Sequence, residues 1–217
     1  MLGGKGPKKA QPSDPLEARF GLKRRALKPA LAAAFDALMA ENAELARRLT
    51  DAENFADHDT LTPCMNRRAF MRALHQAMSF AERYKTPGAV CFIDLDGFKA
   101  VNDQFGHAAG DAVLVHVARV LRAQVRESDS VGRLGGDEFG IILVHAGLEE
   151  ARRKAAAIEE ALRATPAEFA GVSHRVGASI GVHGFTSVED VEIALARADE
   201  AMYAEKHARK RAGANAG

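Results

Sequence analysis

The chain has 217 residues, 47% of them hydrophobic and 27% charged, with a formal net charge of +1. That composition fits one globular domain with an extension, and its charge balance argues against a nucleic-acid glove or a polybasic membrane anchor. Cys64 and Cys91 lie far apart with no CxxC partner, which argues against a disulfide framework or zinc site and for a reducing cytoplasm.

Residues 1–13 are rich in Gly, Lys, Pro and Gln and hold too few apolar side chains to pack, so a disordered tail is expected. This start has no hydrophobic signal core, and no later apolar run approaches bilayer-spanning length. We therefore expect a soluble, cytoplasmic protein with no membrane contact.

Asp14-Pro15 reads as an N-cap with proline at the first helical position, opening a short helix that ends near Leu27. From Ala30 the chain is rich in Ala, Leu and Glu and free of Gly and Pro up to Pro63. Steps of four and three place Phe35, Asn42, Leu49 and Ala56 at heptad a positions and Leu31, Leu38, Leu45 and Ala52 at d. A lone Asn at a fixes register and favours two strands, so residues 14–56 are read as a helical, coiled-coil dimerisation segment.

Asp57 to Pro63 forms a turn-rich joint. Asn66 or a neighbour caps an amphipathic helix carrying Phe70, Leu74 and Met78 inward, which ends near Tyr84. Ala89-Val90-Cys91-Phe92-Ile93 is a continuous apolar run of strand formers, so it predicts a central buried strand ending on Asp94, Leu95 and Asp96. A loop and short helix follow from Gly97, then a second turn at 105–111.

Val113, Val117, Val120 and Leu121 mark a helix over 112–125. Val131 to Leu143 is two apolar runs around Gly135-Gly136-Asp137-Glu138, a hairpin whose tip carries two acids. Taken alone that turn is ordinary, since Gly and Asp are turn residues. Further helices are expected over 149–164 and 188–206, with a strand over 176–182 between them, and residues 209–217 should fray. A tight antiparallel hairpin among alternating helices and strands predicts an α/β fold with a mixed central sheet covered by helices.

If the first strand and the hairpin are sheet neighbours, Asp94 or Asp96 and Asp137 converge on a divalent cation. Hard oxygen ligands suit Mg²⁺, which keeps positions open for phosphate oxygens.

Asp59-x-Leu61-Thr62 with Asn66-Arg67-Arg68, Phe92-Ile93-Asp94-Leu95-Asp96-Gly97-Phe98-Lys99, Asn102-x-x-Phe105-Gly106-His107 with Gly110-Asp111, and Arg133-Leu134-Gly135-Gly136-Asp137-Glu138-Phe139 follow in order. With Ser179-Ile180-Gly181 and Asp199-Glu200-Ala201-Met202-Tyr203 before Lys206, they resemble the GGDEF family of diguanylate cyclases over 57–210, leaving 211–217 as a tail. The resemblance implies a palm-like, nucleotidyl-cyclase-type domain that binds one GTP. Two such domains face each other as a homodimer and condense two GTP into cyclic di-GMP with release of pyrophosphate.

The same resemblance implies two Mg²⁺ per active site, with Mn²⁺ as a substitute, held by Asp94, the Leu95 carbonyl and Asp137. It makes Glu138 the partner of the attacking 3′-hydroxyl, in a catalytic set with Asp137 and Lys99. Asp96 is read as a solvated or capping acid. Asn102 and Asp111 would read the guanine edge, and Gly97-Phe98-Lys99 would offer backbone N–H groups to the terminal phosphates, with Lys99 and Lys206 as point charges.

Lys210 stands where relatives carry a phosphate-binding arginine, so the bidentate fork is lost there and Arg209 or Arg211 is left to supply it. Pro63-Cys64 stands where they carry Gly-Leu. Arg126-x-x-Asp129 has the spacing of an inhibitory product site for cyclic di-GMP; as bare residues it is equally a surface salt bridge. The alternative is a catalytically silent receptor of cyclic di-GMP or GTP that signals through its helix. A polymerase palm would need a basic groove that this charge balance does not supply, so no nucleic-acid partner is expected.

Overall fold

The computed structural model describes residues 16, 20, 21, 23 and 27–214, with the side chains of 49–56 and 208–214 excepted. The expected tail 1–13, much of the short helix after Asp14, and residues 215–217 lie outside the described residues, but Gly21, at φ 66°, Lys23 and Leu27 are described and not helical, so that helix does not run on to Leu27. The chain divides into two units, Met1–Asn54 and Phe55–Gly217.

The first unit is built on α1, Pro29–Asp57, a run of good helix formers whose last three residues belong to the second unit. Leu31, Leu38 and Leu45, spaced by seven, are 56%, 62% and 55% exposed and form an apolar row. Phe35 is half-buried, with its ring edge-on to Phe20 at 6.0 Å. The seam residues Leu49, Ala52 and Ala56 fall outside the described side chains.

The second unit holds a five-stranded sheet in the order β1-β3-β4-β2-β7. Its strands are β1 Met65–Asn66, β2 Gly88–Asp96, β3 Ser130–Gly135, β4 Glu138–Val144 and β7 Gly177–Phe185. β1 pairs parallel with β3 and every other pairing is antiparallel, so the sheet is mixed as expected. A separate two-stranded hairpin joins β5, Ala167–Phe169, to β6, Val172–His174.

Helices α2 (Arg67–Tyr84) and α6 (Val191–Ala214) cover one face, and α4 (His107–Gln124) and α5 (Leu148–Ala164) cover the other. The short α3, Phe98–Phe105, precedes α4. Alternation along β2 sends Ala89, Cys91, Ile93 and Leu95 into the α4–α5 core and Val90 and Phe92 into the α2–α6 core. Both faces are buried, so the strand reads as one apolar run rather than an alternating one.

Asn66 caps α2 by accepting from the Ala69 N–H at 3.0 Å, as its sequence position implied. At Gly181, an added Cβ would lie 1.9 Å from the Ala198 carbonyl and 2.2 Å from the Met202 nitrogen. The missing side chain lets α6 lie directly on β7, and this seats the next turn of α6 over the end of the sheet.

Two further expectations need correction and one short strand went unread. The turn expected over 105–111 is mostly the first turn of α4, because the reversal is confined to Gly106 at φ 82° and His107-Ala108-Ala109 is helix-competent. The joint 57–63 leads into the two-residue β1, too short for any periodicity to reveal. The final helix continues to Ala214, eight residues past Lys206, through Ala, Arg and Lys, which favour helix. Among the described residues no helix is long and apolar enough to cross a membrane.

Candidate functional site

The sheet changes character where β2 ends. Asp94 lies opposite Glu138 on β4 and opposite Ser179 on β7, so three central strands bring polar side chains to one place. Period-two alternation puts Asp94, Asp96 and Glu138 on the face of Val90 and Phe92, under α2 and α6, where all three are half-buried.

Lys206 of α6 reaches this cluster, its Nζ 2.5 Å from Asp94 Oδ2 and 2.9 Å from Asp96 Oδ1. The Ser179 hydroxyl donates to Asp96 at 3.1 Å. Asp96 is therefore a partnered acid, in correction of the solvated or capping role. Lys206 rests on carboxylates, where the sequence placed it on phosphate. Burial works against the Lys206 charge, but hydrogen bonds and attraction from Asp94 and Asp96 outweigh it and hold the ammonium above the ordinary lysine range.

Glu138 is in the opposite situation. Burial, and then the negative charges of Asp137, Asp94 and Asp199, push its carboxyl above the ordinary glutamate range, while Arg67 works the other way. A cleft of about 240 Å³ beside it is lined by Arg67, Phe92, Glu192 and Asp199 among others. Arg67 is itself paired with Glu192 at 3.1 Å.

The two-residue turn Gly136–Asp137 closes on the Gly135–Glu138 pair, with a register shift between Arg133 and Gly135. Gly136 sits at φ 40°, the position in this turn that requires glycine. The tip is held by Arg133, whose Nε and Nη2 donate to the Gly136 carbonyl at 3.0 and 2.8 Å. Its Nη1 donates to Asp59 Oδ1 at 3.2 Å.

Asp59 Oδ1 also accepts from the Thr62 N–H at 2.8 Å and the Thr62 hydroxyl at 2.7 Å. Burial opposes its charge, but the Thr62 hydrogen bonds and then Arg133 hold the carboxyl below the ordinary aspartate range. The joint after α1 is thereby tied to the turn that carries Asp137. Asp57, at the end of α1, pairs with Arg72 at 2.5 Å and Arg68 at 3.5 Å on α2. Sequence reasoning gave these residues no role. Asp59-x-x-Thr62 does signal a side-chain-capped turn, but nothing local signals a partner 74 residues away.

On the other side of the site, Phe98 and Lys99 open α3 after Gly97 at φ 79°, and Asn102 lies one turn further on. Asn102 Oδ1 lies against Gly110 of α4, where an added Cβ would stand 2.0 Å from it. Asp111, the next residue, lines a cavity of about 500 Å³ with Leu61, Val115 and Arg119 among others. Lys99, Asp111 and Asp137 make no side-chain hydrogen bond or ion pair among the described residues, which leaves them open to a ligand. The side chains of Arg209, Lys210 and Arg211 lie outside the described residues.

Arg126 and Asp129 lie beyond the opposite end of β4. Asp129 Oδ2 accepts from the Arg126 N–H at 3.0 Å and Oδ1 from the Val144 N–H at 3.2 Å, so its carboxylate is held by main chain. The Arg126 guanidinium has no hydrogen-bond or ion-pair partner among the described residues, and the salt-bridge reading of this pair does not hold. A cavity of about 370 Å³ beside them is lined by His58, Pro63, Met65 and Arg122 as well.

The candidate ligand atoms at this end of the sheet are all oxygen: Asp94, Asp137, Glu138 and the Leu95 carbonyl between two aspartates. Mutual repulsion at Glu138 marks an excess of negative charge that a divalent cation would relieve. Among the described residues no three or more His, Cys, Asp or Glu side chains stand together as a complete metal cage. The residues fit Mg²⁺, which takes one or two carboxylates and fills its shell from water and phosphate.

Residues 56–212 match the family described as diguanylate cyclase, GGDEF domain. The chain is 41% identical over 157 residues to the probable diguanylate cyclase DgcE of Escherichia coli strain K12, covering 70% of this chain and 14% of that one. It is 41% identical over 171 residues to diguanylate cyclase TpbB of Pseudomonas aeruginosa, covering 78% and 38% respectively. It thus spans well under half the length of either relative.

The solved coiled coil and GGDEF domain of DgcB from Caulobacter crescentus, in complex with c-di-GMP, is similar at a TM-score of 0.74 and 27% identity, covering 82% of this chain and 95% of that one. Diguanylate cyclase SiaD of Pseudomonas aeruginosa, solved with its activator SiaC, is similar at a TM-score of 0.69 and 29% identity, covering 88% and 75%. Motif order, sheet topology and these likenesses agree, and the chain belongs to the GGDEF-domain family of diguanylate cyclases.

Proposed function

We propose that this protein condenses two molecules of GTP into cyclic di-GMP. In each half-reaction a 3′-oxygen bonds to the α-phosphorus of the opposite nucleotide, the α–β anhydride bond breaks, and pyrophosphate leaves. The observation that carries the reading is the register pairing of Asp94 with Glu138, with Asp137 in the adjoining turn and Lys206 above them.

Glu138 accepts the 3′-hydroxyl proton, a role suited to a carboxylate whose proton affinity is raised by burial and by its neighbours. Asp94, Asp137 and the Leu95 carbonyl would hold two Mg²⁺, or Mn²⁺ in their place. Those ions, when bound, supply charge neutralisation on the phosphates and a more acidic 3′-hydroxyl. Phe98 and Lys99 at the start of α3, together with Lys206 released from Asp94, hold the triphosphate, and Lys210 adds charge. Asn102 and Asp111 select guanine by hydrogen bonds that adenine leaves unmade.

One domain supplies half a site, so the reaction needs a homodimer. The exposed row Leu31, Leu38 and Leu45 is the surface we assign to it, as a parallel coiled coil. Arg126 and Asp129 bind cyclic di-GMP as feedback inhibitor; support comes from a guanidinium free among the described residues beside a carboxylate fixed by main chain. A GTP substrate fits work in the cytoplasm. Incubation with GTP and Mg²⁺ tests the reading: cyclic di-GMP and pyrophosphate should accumulate, and a folded dimer yielding neither refutes it.

A further inference from the structure

Asp94 and Asp96 share one face of β2, and a single ammonium spans them. Lys206 reaches this place because Ala198, Met202 and Lys206 follow one stripe of α6, in which Ala198 and Met202 are buried in the α2–α6 core. Its Nζ lies 2.5 Å from Asp94 Oδ2 and 2.9 Å from Asp96 Oδ1. The two acids differ in what else holds them. The hydroxyl of the buried Ser179 lies 3.1 Å from Asp96 Oδ2 and 3.2 Å from Oδ1, so β7 braces that carboxylate. Among the described residues Asp94 accepts a side-chain hydrogen bond from Lys206 alone.

This asymmetry sorts their duties. Asp94 is a candidate ligand for a divalent cation, and it cannot give one oxygen both to that cation and to Lys206. When the site is loaded, Lys206 must therefore leave Asp94. Asp96 is the partner that remains, already in contact and already fixed by Ser179.

We propose that Asp96, braced by Ser179, is a positioning residue that retains Lys206 over the end of the sheet once Asp94 is engaged, and so aims the ammonium at the terminal phosphates of a bound nucleoside triphosphate. This rests on the reading of Lys206 as a phosphate contact given above, and it says what keeps that contact in place. Asp96 acts through Lys206 and touches no nucleotide. Its own negative charge works against a polyanionic ligand, so holding Lys206 and repelling phosphate have opposite signs.

GTP binding, measured by calorimetry with Mg²⁺ in the Glu138→Ala variant so that turnover plays no part, separates the two. Asp96→Asn removes a negative charge and should nevertheless weaken binding at least about fivefold. In a Lys206→Met background the same change should weaken it no further. Ser179→Ala keeps every charge and should weaken binding about twofold, again only where Lys206 is present; it decides the matter alone if Asp96→Asn does not fold. Unchanged or tighter binding by the variant that is read overturns the proposal. So does a weakening that persists without Lys206, which would make Asp96 a ligand in its own right. No GTP binding by either Glu138→Ala or the unaltered protein overturns both this and the reading it rests on. Bound GTP that the unaltered protein does not convert to cyclic di-GMP removes the activity and leaves Asp96 its role.

Discussion

The two ends of the β2–β4 pair carry acids in opposite circumstances. At the Asp94–Glu138 end, carboxylates crowd one another and Glu138 is pushed toward its neutral form. At the Gly88–Val144 end, about 20 Å away at 3.3 Å per residue, Asp129 has both oxygens satisfied by main-chain N–H groups. The first end is under electrostatic stress that a cationic ligand relieves, whereas the second is a settled frame beside a cation without a partner among the described residues. Chemistry fits the stressed end, and recognition fits the settled one.

The contrast is broken most severely by removing acids from the stressed end. Asp137→Ala and Glu138→Ala should each lower turnover by about 10²-fold or more, with thermal unfolding little changed or raised, because each removes repulsion from its neighbours. A large loss of stability would mean that the turn acids hold the fold.

Next in size is the nucleotide pocket. Gly110→Ala drives a Cβ to 2.0 Å from Asn102 Oδ1, so Asn102 must move. KM for GTP should rise about tenfold, as expected for one or two lost base hydrogen bonds, while kcat changes less. An unchanged KM would detach Asn102 from base recognition.

Leu38→Glu puts a charge into the exposed heptad row and should lower dimer content by sedimentation, with specific activity falling in proportion. Full activity from a monomer would refute the coupling.

Smaller again is the link between joint and turn. Asp59→Asn weakens the Arg133 pair and should leave the hairpin tip looser, seen as faster amide exchange at Gly136. Because the folded Asp59 carboxyl lies below its ordinary value of 3.8, its contribution is present above that value and is lost as pH falls through the depressed folded value. The stability difference from Asp59→Asn should therefore vanish in strong acid. A difference that persists there would assign it to packing.

The smallest effect concerns Cys64 and Cys91. Burial pushes their thiols up to about 11 and about 12, so both should resist alkylation at neutral pH until the chain unfolds.

Most of the frame was legible in sequence because its signals are local. The run 89–93 could be a buried strand and little else, and Gly-Gly-Asp-Glu between apolar runs could be a hairpin. That the two are sheet neighbours was a supposition in sequence, and the β2–β4 pairing bears it out. The β5–β6 hairpin went unread because its three-residue strands are too short to show alternation. The start of α4 was misplaced because Gly106 and Gly110 look alike in sequence, yet only Gly106 turns the chain.

At the site, residue identities were readable and their partners were not. Lys206 is a lysine near the end of a helix until Gly181 lets α6 close on β7 and lay it on Asp94 and Asp96. Arg133 and Asp59 were visible in the motifs, yet their pairing belongs to tertiary structure alone.

The central claim is that the stressed end of the sheet makes cyclic di-GMP, and GTP turnover with Mg²⁺ tests it most directly. Product and pyrophosphate should appear in a ratio of one to two, and Glu138→Ala should show neither. A well-folded dimer that binds GTP and forms no cyclic dinucleotide would contradict the account.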